Sequence, residues 1–333
     1  MNKLNQIINK LYEQKDLTVE ESSFIFNEIM DGKVNEIIIS SFLTALKIKG
    51  ETFTEILGAT KVLRKKSLKI ISPENTIDTC GTGGDMKNTL NISTAAALVA
   101  ASTGVKIAKH GNRSVSSKSG SADVLELLGI KINNEIKDNE KMLKEKNFCF
   151  MFAQLFHTAM KNVGPVRKTL GTRTIFNLLG PLTNPANSKK QLLGVFDKKW
   201  LNIHTKVLKE LGSEHVLIVH GLDGLDEISL SSNTYISELK DNIIKEYIFN
   251  PEEIGYSFIN INDIKGGDAN YNAREIMKML NKQNINFQKI VEINAGAAIY
   301  LSGNAKSIKE GAEIAKKYIN DGSAKFYIEN LKN

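Results

Sequence analysis

The chain has 333 residues, 41% hydrophobic and 24% charged, which is enough for two domains and a sizeable core, and no apolar run is long enough to span a bilayer. Its net charge of +7 comes from lysines spread along the whole chain, with aromatics at only 7%, so it reads as a solvated surface that can steer an anion and not as the clustered footprint of a nucleic-acid binder. Cys80 and Cys149 stand alone without a Cys-x-x-Cys, and Met1-Asn-Lys-Leu-Asn-Gln6 lacks the apolar centre of a signal peptide, so neither a disulfide framework nor a zinc site is indicated and a reduced, cytoplasmic protein is expected.

The chain opens helically. Thr18-Val-Glu-Glu21 is a capping box, followed by apolar residues at helical spacing through Phe24, Ile25 and Ile29 and a stop at Asp31-Gly32. Val34–Lys49 reads as another helix, ended by Gly50. Thr52-Phe-Thr-Glu55 opens a further one that runs to about Lys66. Strands and helices then alternate: a strand at Thr76–Cys80, an Ala-rich helix at Thr94–Thr103 with a Ser/Thr cap, and a strand at Val105–Ala108. A helix at Ser121–Leu128, capped by Ser121, follows, and then an apolar run, Phe148–Ala153, that reads as a strand buried on both faces. The segment 162–184 breaks the alternation with Gly164-Pro165, Gly180-Pro181 and Asn184-Pro185, and is expected to return to the helical unit. Strands at Gln191–Phe196 and His215–His220, a hairpin around Lys240-Asp-Asn242, and helices over 270–332 with breaks at Gly303 and Gly322 complete the chain. The expected fold class is α/β: a small all-helical domain (1–70, with 162–184) plus a larger α/β domain (71–161 and 185–333) with a mostly parallel central sheet flanked by helices.

Three stretches carry chemistry. In Asp78-Thr-Cys-Gly-Thr-Gly-Gly-Asp85 an apolar lead-in ends in three glycines, and Asn91-Ile-Ser-Thr94 opens the next helix. Glycines bare backbone N–H groups, and a helix N-terminus adds donors and partial positive charge, so the pair suits a phosphorylated ligand. Met86 stands where a G-x-G-x-x-G fingerprint needs its third glycine, and no Walker lysine follows, so neither dinucleotide motif applies. A plain strand-to-helix turn is the rival reading. Lys109-His-Gly-Asn-Arg-Ser-Val-Ser-Ser117 reads as a loop after a strand, with Lys109 and Arg113 as phosphate cations. His110 reads first as a structural hydrogen bonder, with proton transfer as the alternative. Asp226-Glu227 follows a strand and offers hard oxygens to Mg2+, against the reading of a turn with solvated acids. Arg167 suits a carboxylate, or snorkels from a helix.

Together with Ser119–Glu126, Val163–Lys168, Thr174–Ala186 and Gly221–Ser229, these stretches resemble the anthranilate phosphoribosyltransferases over essentially the whole chain. The resemblance implies transfer of a phosphoribosyl group from phosphoribosyl pyrophosphate to anthranilate with Mg2+, and a homodimer formed through the helical parts. The scattered charge and the lack of a spanning apolar run argue against a nucleic-acid or membrane partner, and the sequence leaves association with anthranilate synthase components open. The resemblance places Gly81, Gly84, Asp85, Thr89, Asn91, Ile92, Ser93, Thr94, Lys109, His110, Gly111, Asn112, Arg113, Ser114, Val115, Ser116, Ser117 and Ser121 around the sugar diphosphate. It places Gly81, Asn112 and Arg167 at anthranilate, Ser93, Asp226 and Glu227 at the metal, and Lys109, Arg113 and Asn112 in catalysis. Met86 and Gly296 depart from the usual Gly and Ala of the family, and Leu90 from its usual Phe. A pyrimidine nucleoside phosphorylase is the nearest alternative, and a non-catalytic nucleic-acid-binding relative of the same fold is the alternative from another class.

Overall fold

The computed structural model describes residues 3–113, 119–132 and 135–332. Four helices come first: α1 (Lys3–Tyr12), α2 (Val19–Met30), α3 (Glu36–Lys49) and α4 (Phe53–Lys66). The Thr18 hydroxyl accepts the Glu21 N–H while the Glu21 carboxylate accepts the Thr18 N–H, so the first capping box forms as expected. Glu55 accepts the Thr52 N–H at 2.8 Å and the Leu17 N–H at 3.0 Å, and pairs with Lys49 at 3.0 Å. A cap acid thereby ties the α1–α2 and α3–α4 junctions together.

The α/β part continues with β1 (Ile77–Gly81), α5 (Ile92–Ser102), β2 (Ile107–Gly111), α6 (Ser121–Leu127), α7 (Ile136–Lys146) and β3 (Phe148–Phe152). Three short helices follow, α8 (Ala153–Phe156), α9 (Gly164–Leu170) and α10 (Phe176–Leu179), then β4 (Lys190–Gly194), α11 (Trp200–Glu210) and β5 (His215–Gly221). The hairpin β6 (Thr234–Lys240) and β7 (Ile243–Phe249) turns through Asp241 and Asn242, both at positive φ, as a two-residue turn requires. Helices α12 (Ala269–Leu280), α13 (Ile285–Ser302), α14 (Ile308–Asn320) and α15 (Ser323–Asn330) close the fold.

The seven strands pair in the order β3-β2-β1-β4-β5-β6-β7; the first five are parallel and the last two antiparallel. Side chains alternate between two cores. Leu192, Leu217 and Val219 pack under α5 and α13, whereas Leu193, Val216 and Ile218 pack under α11 and the helical part. α5 is buried almost all round, and its alanines let strand and helix backbones approach. Residues of α9 and α10 share the second core with α2–α4: Phe176 meets Phe26 edge-on at 5.6 Å, and Arg64 Nε donates to the Leu182 carbonyl at 2.7 Å.

Strands β1 and β4 lie within two residues of their expected bounds, and three other boundaries differ in ways that touch the site. β2 runs to Gly111, so Lys109, His110 and Gly111 are strand residues and not loop residues. A lysine interrupts the apolar pattern by which a buried strand is read, yet its amine is satisfied across the sheet. α5 starts at Ile92, so Ser93 and Thr94 lie inside its first turn, and the N-cap of α6 is Gly120 in place of Ser121. A further break, at Asn281–Asn284, separates α12 from α13.

Gly296, one of the departures, sits where α13 and α14 touch. A Cβ there would lie 2.4 Å from the Ala312 nitrogen, and one on Gly311 would lie 2.2 Å from the Gly296 carbonyl. Gly296→Ala is therefore expected to lower the unfolding free energy by about 1–3 kcal/mol in urea titrations. An unchanged midpoint would mean that α14 moves aside freely.

Candidate active site

The strand order reverses between β1 and β4, which opens a crevice beyond their carboxyl ends. The last residues of these strands, Gly81 and Gly194, are direct partners. Both must be glycine because Asp226 passes over them. A Cβ on Gly81 would lie 2.6 Å from Asp226 Oδ2, and one on Gly194 would lie 1.5 Å from the Asp226 carbonyl oxygen. The turn after β5 brings Asp226 there. Gly221 N–H donates to the Leu225 carbonyl at 2.8 Å, and the Asp223 carboxylate accepts the Leu225 N–H and the Ser229 hydroxyl. Asp226 Oδ2 accepts the Gly83 N–H at 2.8 Å, and Glu227 Oε1 accepts the Ser93 N–H at 3.1 Å. Glu227 thus caps α5, the job assigned from sequence to the local Ser and Thr, and sits at the positive end of the helix dipole.

The acids of this turn are half-buried, their carboxylates engaged by the Gly83 and Ser93 N–H groups. Burial pushes both carboxyls up from the ordinary carboxylate range; after burial, the nearby Asp85 raises Asp226 most and Asp226 raises Glu227 most. Lys109, 1% exposed, donates to the Thr79 carbonyl at 2.5 Å and to the Ser93 hydroxyl at 3.2 Å. Burial pulls its pKa down against the opposing pull of Asp78, Cys80, Glu227 and Asp226. Among the described residues no cluster of three or more His, Cys, Asp or Glu is arranged to hold a metal by itself. Asp226 and Glu227 fit instead a hard cation that completes its shell with phosphate and water.

Of the other candidates, Gly84 and Asp85 follow β1, and Asp85 Oδ1 accepts the Lys87 N–H at 3.0 Å. Thr89 bridges to Lys265. Ile92 is 1% exposed, so only its backbone can serve the site. Thr94 is buried and its hydroxyl donates to Ser121 Oγ at 3.0 Å. Arg113 turns to α6, where Asp123 and Glu126 hold its guanidinium at 3.0 and 2.7 Å. Ser114, Val115, Ser116 and Ser117 lie outside the described residues.

Beside the crevice is a cavity of about 630 Å3 between the sheet ends and the 164–183 segment, with Gly81, Asn112 and Arg167 in its wall. Arg167 lies over the Phe176 ring at 5.3 Å, and burial lowers its pKa. His110 and His157 face each other in this wall with ring centroids 5.0 Å apart. Burial, first, drives them to about 3 and about 4, so both rings are neutral near pH 7 and His110 is a weakened base there.

The sequence reading missed Gly194, although a glycine inside an apolar strand signals a close approach. It also missed Arg173, which lies over the Phe196 ring at 4.1 Å and fills the space a Cβ on Gly84 would need. No local pattern marks Arg173.

Two models define the class: the helical bundle domain of the glycosyl transferase family matches residues 5–67, and the a/b domain of that family matches residues 73–325. The chain is 48% identical over 322 residues to the anthranilate phosphoribosyltransferase of Alkaliphilus metalliredigens, covering 96% of this chain and 95% of the relative. It is 46% identical to that of Clostridium kluyveri, covering 99% of each. Its fold matches the enzyme of Thermus thermophilus with a TM-score of 0.90 at 36% identity, over 98% of both chains. The Saccharomyces cerevisiae enzyme, solved in complex with PRPP and Mg, matches with a TM-score of 0.88 at 28% identity, over 98% of this chain and 96% of that one. The chain belongs to the anthranilate phosphoribosyltransferase family.

Proposed function

We propose that this chain transfers the 5-phosphoribosyl group of phosphoribosyl pyrophosphate to the amine of anthranilate, giving N-(5-phosphoribosyl)anthranilate and pyrophosphate, in tryptophan biosynthesis. The observation that carries it is the meeting of the Gly81–Asp85 loop, the N-terminus of α5 and the Asp226-Glu227 turn at one crevice, next to a cavity holding Arg167. The direct test is loss of anthranilate fluorescence when the purified protein is given phosphoribosyl pyrophosphate and Mg2+; no loss with correctly folded protein would sink the assignment.

Backbone N–H groups of the loop and of α5 other than those of Gly83 and Ser93, which the acids hold, take the diphosphate. Asp226 and Glu227, with the Ser93 hydroxyl, hold Mg2+, which neutralises charge on the leaving diphosphate. Lys109 anchors Ser93 from below and adds positive potential under the same site. The C1–oxygen bond to pyrophosphate breaks as positive charge grows on the ribose, and the anthranilate nitrogen attacks from the opposite face. An aromatic amine is neutral near pH 7, so its lone pair needs positioning more than a strong base. Arg167 pairs with the carboxylate of anthranilate, with Asn112 and Gly81 beside it. The neutral rings of His110 and His157 bring no second cation to compete for that carboxylate.

Arg167→Ala should raise KM for anthranilate about tenfold or more and KM for the sugar diphosphate less than about threefold, in steady-state titrations of each substrate. Equal rises would make Arg167 a structural residue. Met86 already sits at φ 60 and is 85% exposed, so its backbone holds the shape a glycine would favour. Met86→Gly is expected to leave KM for the sugar diphosphate within about threefold; a larger shift would show that the loop visits conformations a side chain forbids.

The division into a helical unit, 1–70 with 162–184, and an α/β unit, 71–161 with 185–333, draws support from the core shared by α2–α4 with α9 and α10. A homodimer through the helical part draws on Ile37 and Ile48, which stand 81% and 72% exposed on one side of α3. A cytoplasmic place accords with two buried free thiols and with the absence, among the described residues, of any helix long and apolar enough to cross a membrane.

A further inference from the structure

We propose that Asn272, on α12 and outside the motifs above, is a positioning residue that fixes which end of the Asn91 amide faces the sugar diphosphate. This rests on the proposed function, which places Asn91 at that ligand.

Asn91 stands at the head of α5 but does not cap it with its side chain. Its Oδ1 instead accepts from Asn272 Nδ2 at 2.8 Å and from the Ser119 hydroxyl at 3.3 Å. Asn272 is 2% exposed, and its own Oδ1 accepts the Gly267 N–H at 2.8 Å. A backbone N–H only donates, so the polarity of the relay is set at Gly267. Asn272 must turn its oxygen to Gly267 and its NH2 to Asn91. Asn91 must then answer with its oxygen, which leaves its two N–H donors on the other side of the amide. No partner for Asn91 Nδ2 occurs among the described residues, and the side chain is only half-buried. Donors facing an anion site are the useful orientation; a flipped amide would present its oxygen to phosphate or hydroxyl oxygens.

Gly267 is held in place to do this. Gly266 N–H donates to the Asn88 carbonyl at 2.7 Å, and Leu90 N–H donates to the Ile264 carbonyl at 2.9 Å. A Cβ on Gly266 would lie 2.4 Å from the Thr89 carbonyl oxygen. Residues 264–267 are thereby laced against 88–91, and Asn272 spans the two strips.

Asn272→Asp tests the polarity. It keeps the size and the acceptor for Gly267. Ionised, it offers Asn91 an acceptor and favours the flipped amide; protonated, its O–H donates as the Asn272 NH2 does. The ratio of variant to wild-type KM for phosphoribosyl pyrophosphate should rise about tenfold between about pH 5.5 and about pH 8.5, while KM for anthranilate stays within about twofold. In an Asn91→Ala background the same substitution should change that KM less than about twofold, because nothing remains to orient. Asn272→Ala, which adds no buried charge, should raise the same KM without the pH slope, and covers the case in which the aspartate variant folds poorly. Parallel rises in both KM values, or an undiminished effect with Asn91→Ala, would overturn the proposal and leave Asn272 a support of the fold alone. A wild-type protein that turns over neither substrate would instead overturn the function itself.

Discussion

Asp226→Asn is expected to cut turnover about a hundredfold while raising the melting temperature of the ligand-free protein at pH 8. The two effects have one origin. The Asp226 carboxyl is partly desolvated and stands beside Asp85 and Glu227, so its pKa lies above the unfolded value of about 4. A folded state with a raised acid pKa binds the extra proton, so stability is greatest below the unfolded pKa and falls as pH rises through the folded one. Asparagine keeps an oxygen for the Gly83 N–H and carries no charge, so it removes that penalty. The gain should shrink toward zero near pH 4, where aspartate is already neutral. Calorimetry across pH and turnover at limiting Mg2+ would check both halves. Full activity at limiting Mg2+ would take Asp226 out of the metal site, and a lower melting temperature at pH 8 would contradict the burial argument.

Gly194→Ala should rank with it, although the new methyl touches no substrate. A Cβ placed 1.5 Å from the Asp226 carbonyl oxygen cannot coexist with the present backbone. The turn that carries both acids must rise away from the ends of β1 and β4. Displacements of about an ångström cost active sites about a hundredfold, so kcat should fall by that order, with a stability loss of about 1–3 kcal/mol. Steady-state kinetics and a urea titration separate the two losses. A kcat within about twofold of wild type would mean that the acid turn floats free of β4.

What was legible in the sequence was local. The boxes at Thr18 and Thr52 and the Asp241-Asn242 turn act within four residues, and each formed where its pattern predicts. Lys109 was misplaced into a loop because the carbonyl that satisfies it belongs to Thr79, thirty residues back. The α5 cap was given to Ser and Thr because Glu227, which caps it in fact, is 134 positions away. Arg113 is the instructive case. Asp123 and Glu126 are three apart on α6 and so share a face, and the pairing that holds the arginine was readable in Asp123-Val-Leu-Glu126. Arg173 and Asn272 had no such trace, since their partners meet them only in three dimensions.

The N–H groups of Gly83 and Ser93 are claimed by acids 143 and 134 positions downstream. Loops of that length close late, after the strands that carry both ends have paired. A growing polypeptide therefore has its first four helices and its glycine turn long before the acids that claim those N–H groups exist. Both amide hydrogens are covered only while the 222–227 corner is docked, so their exchange rates measure how often that corner opens.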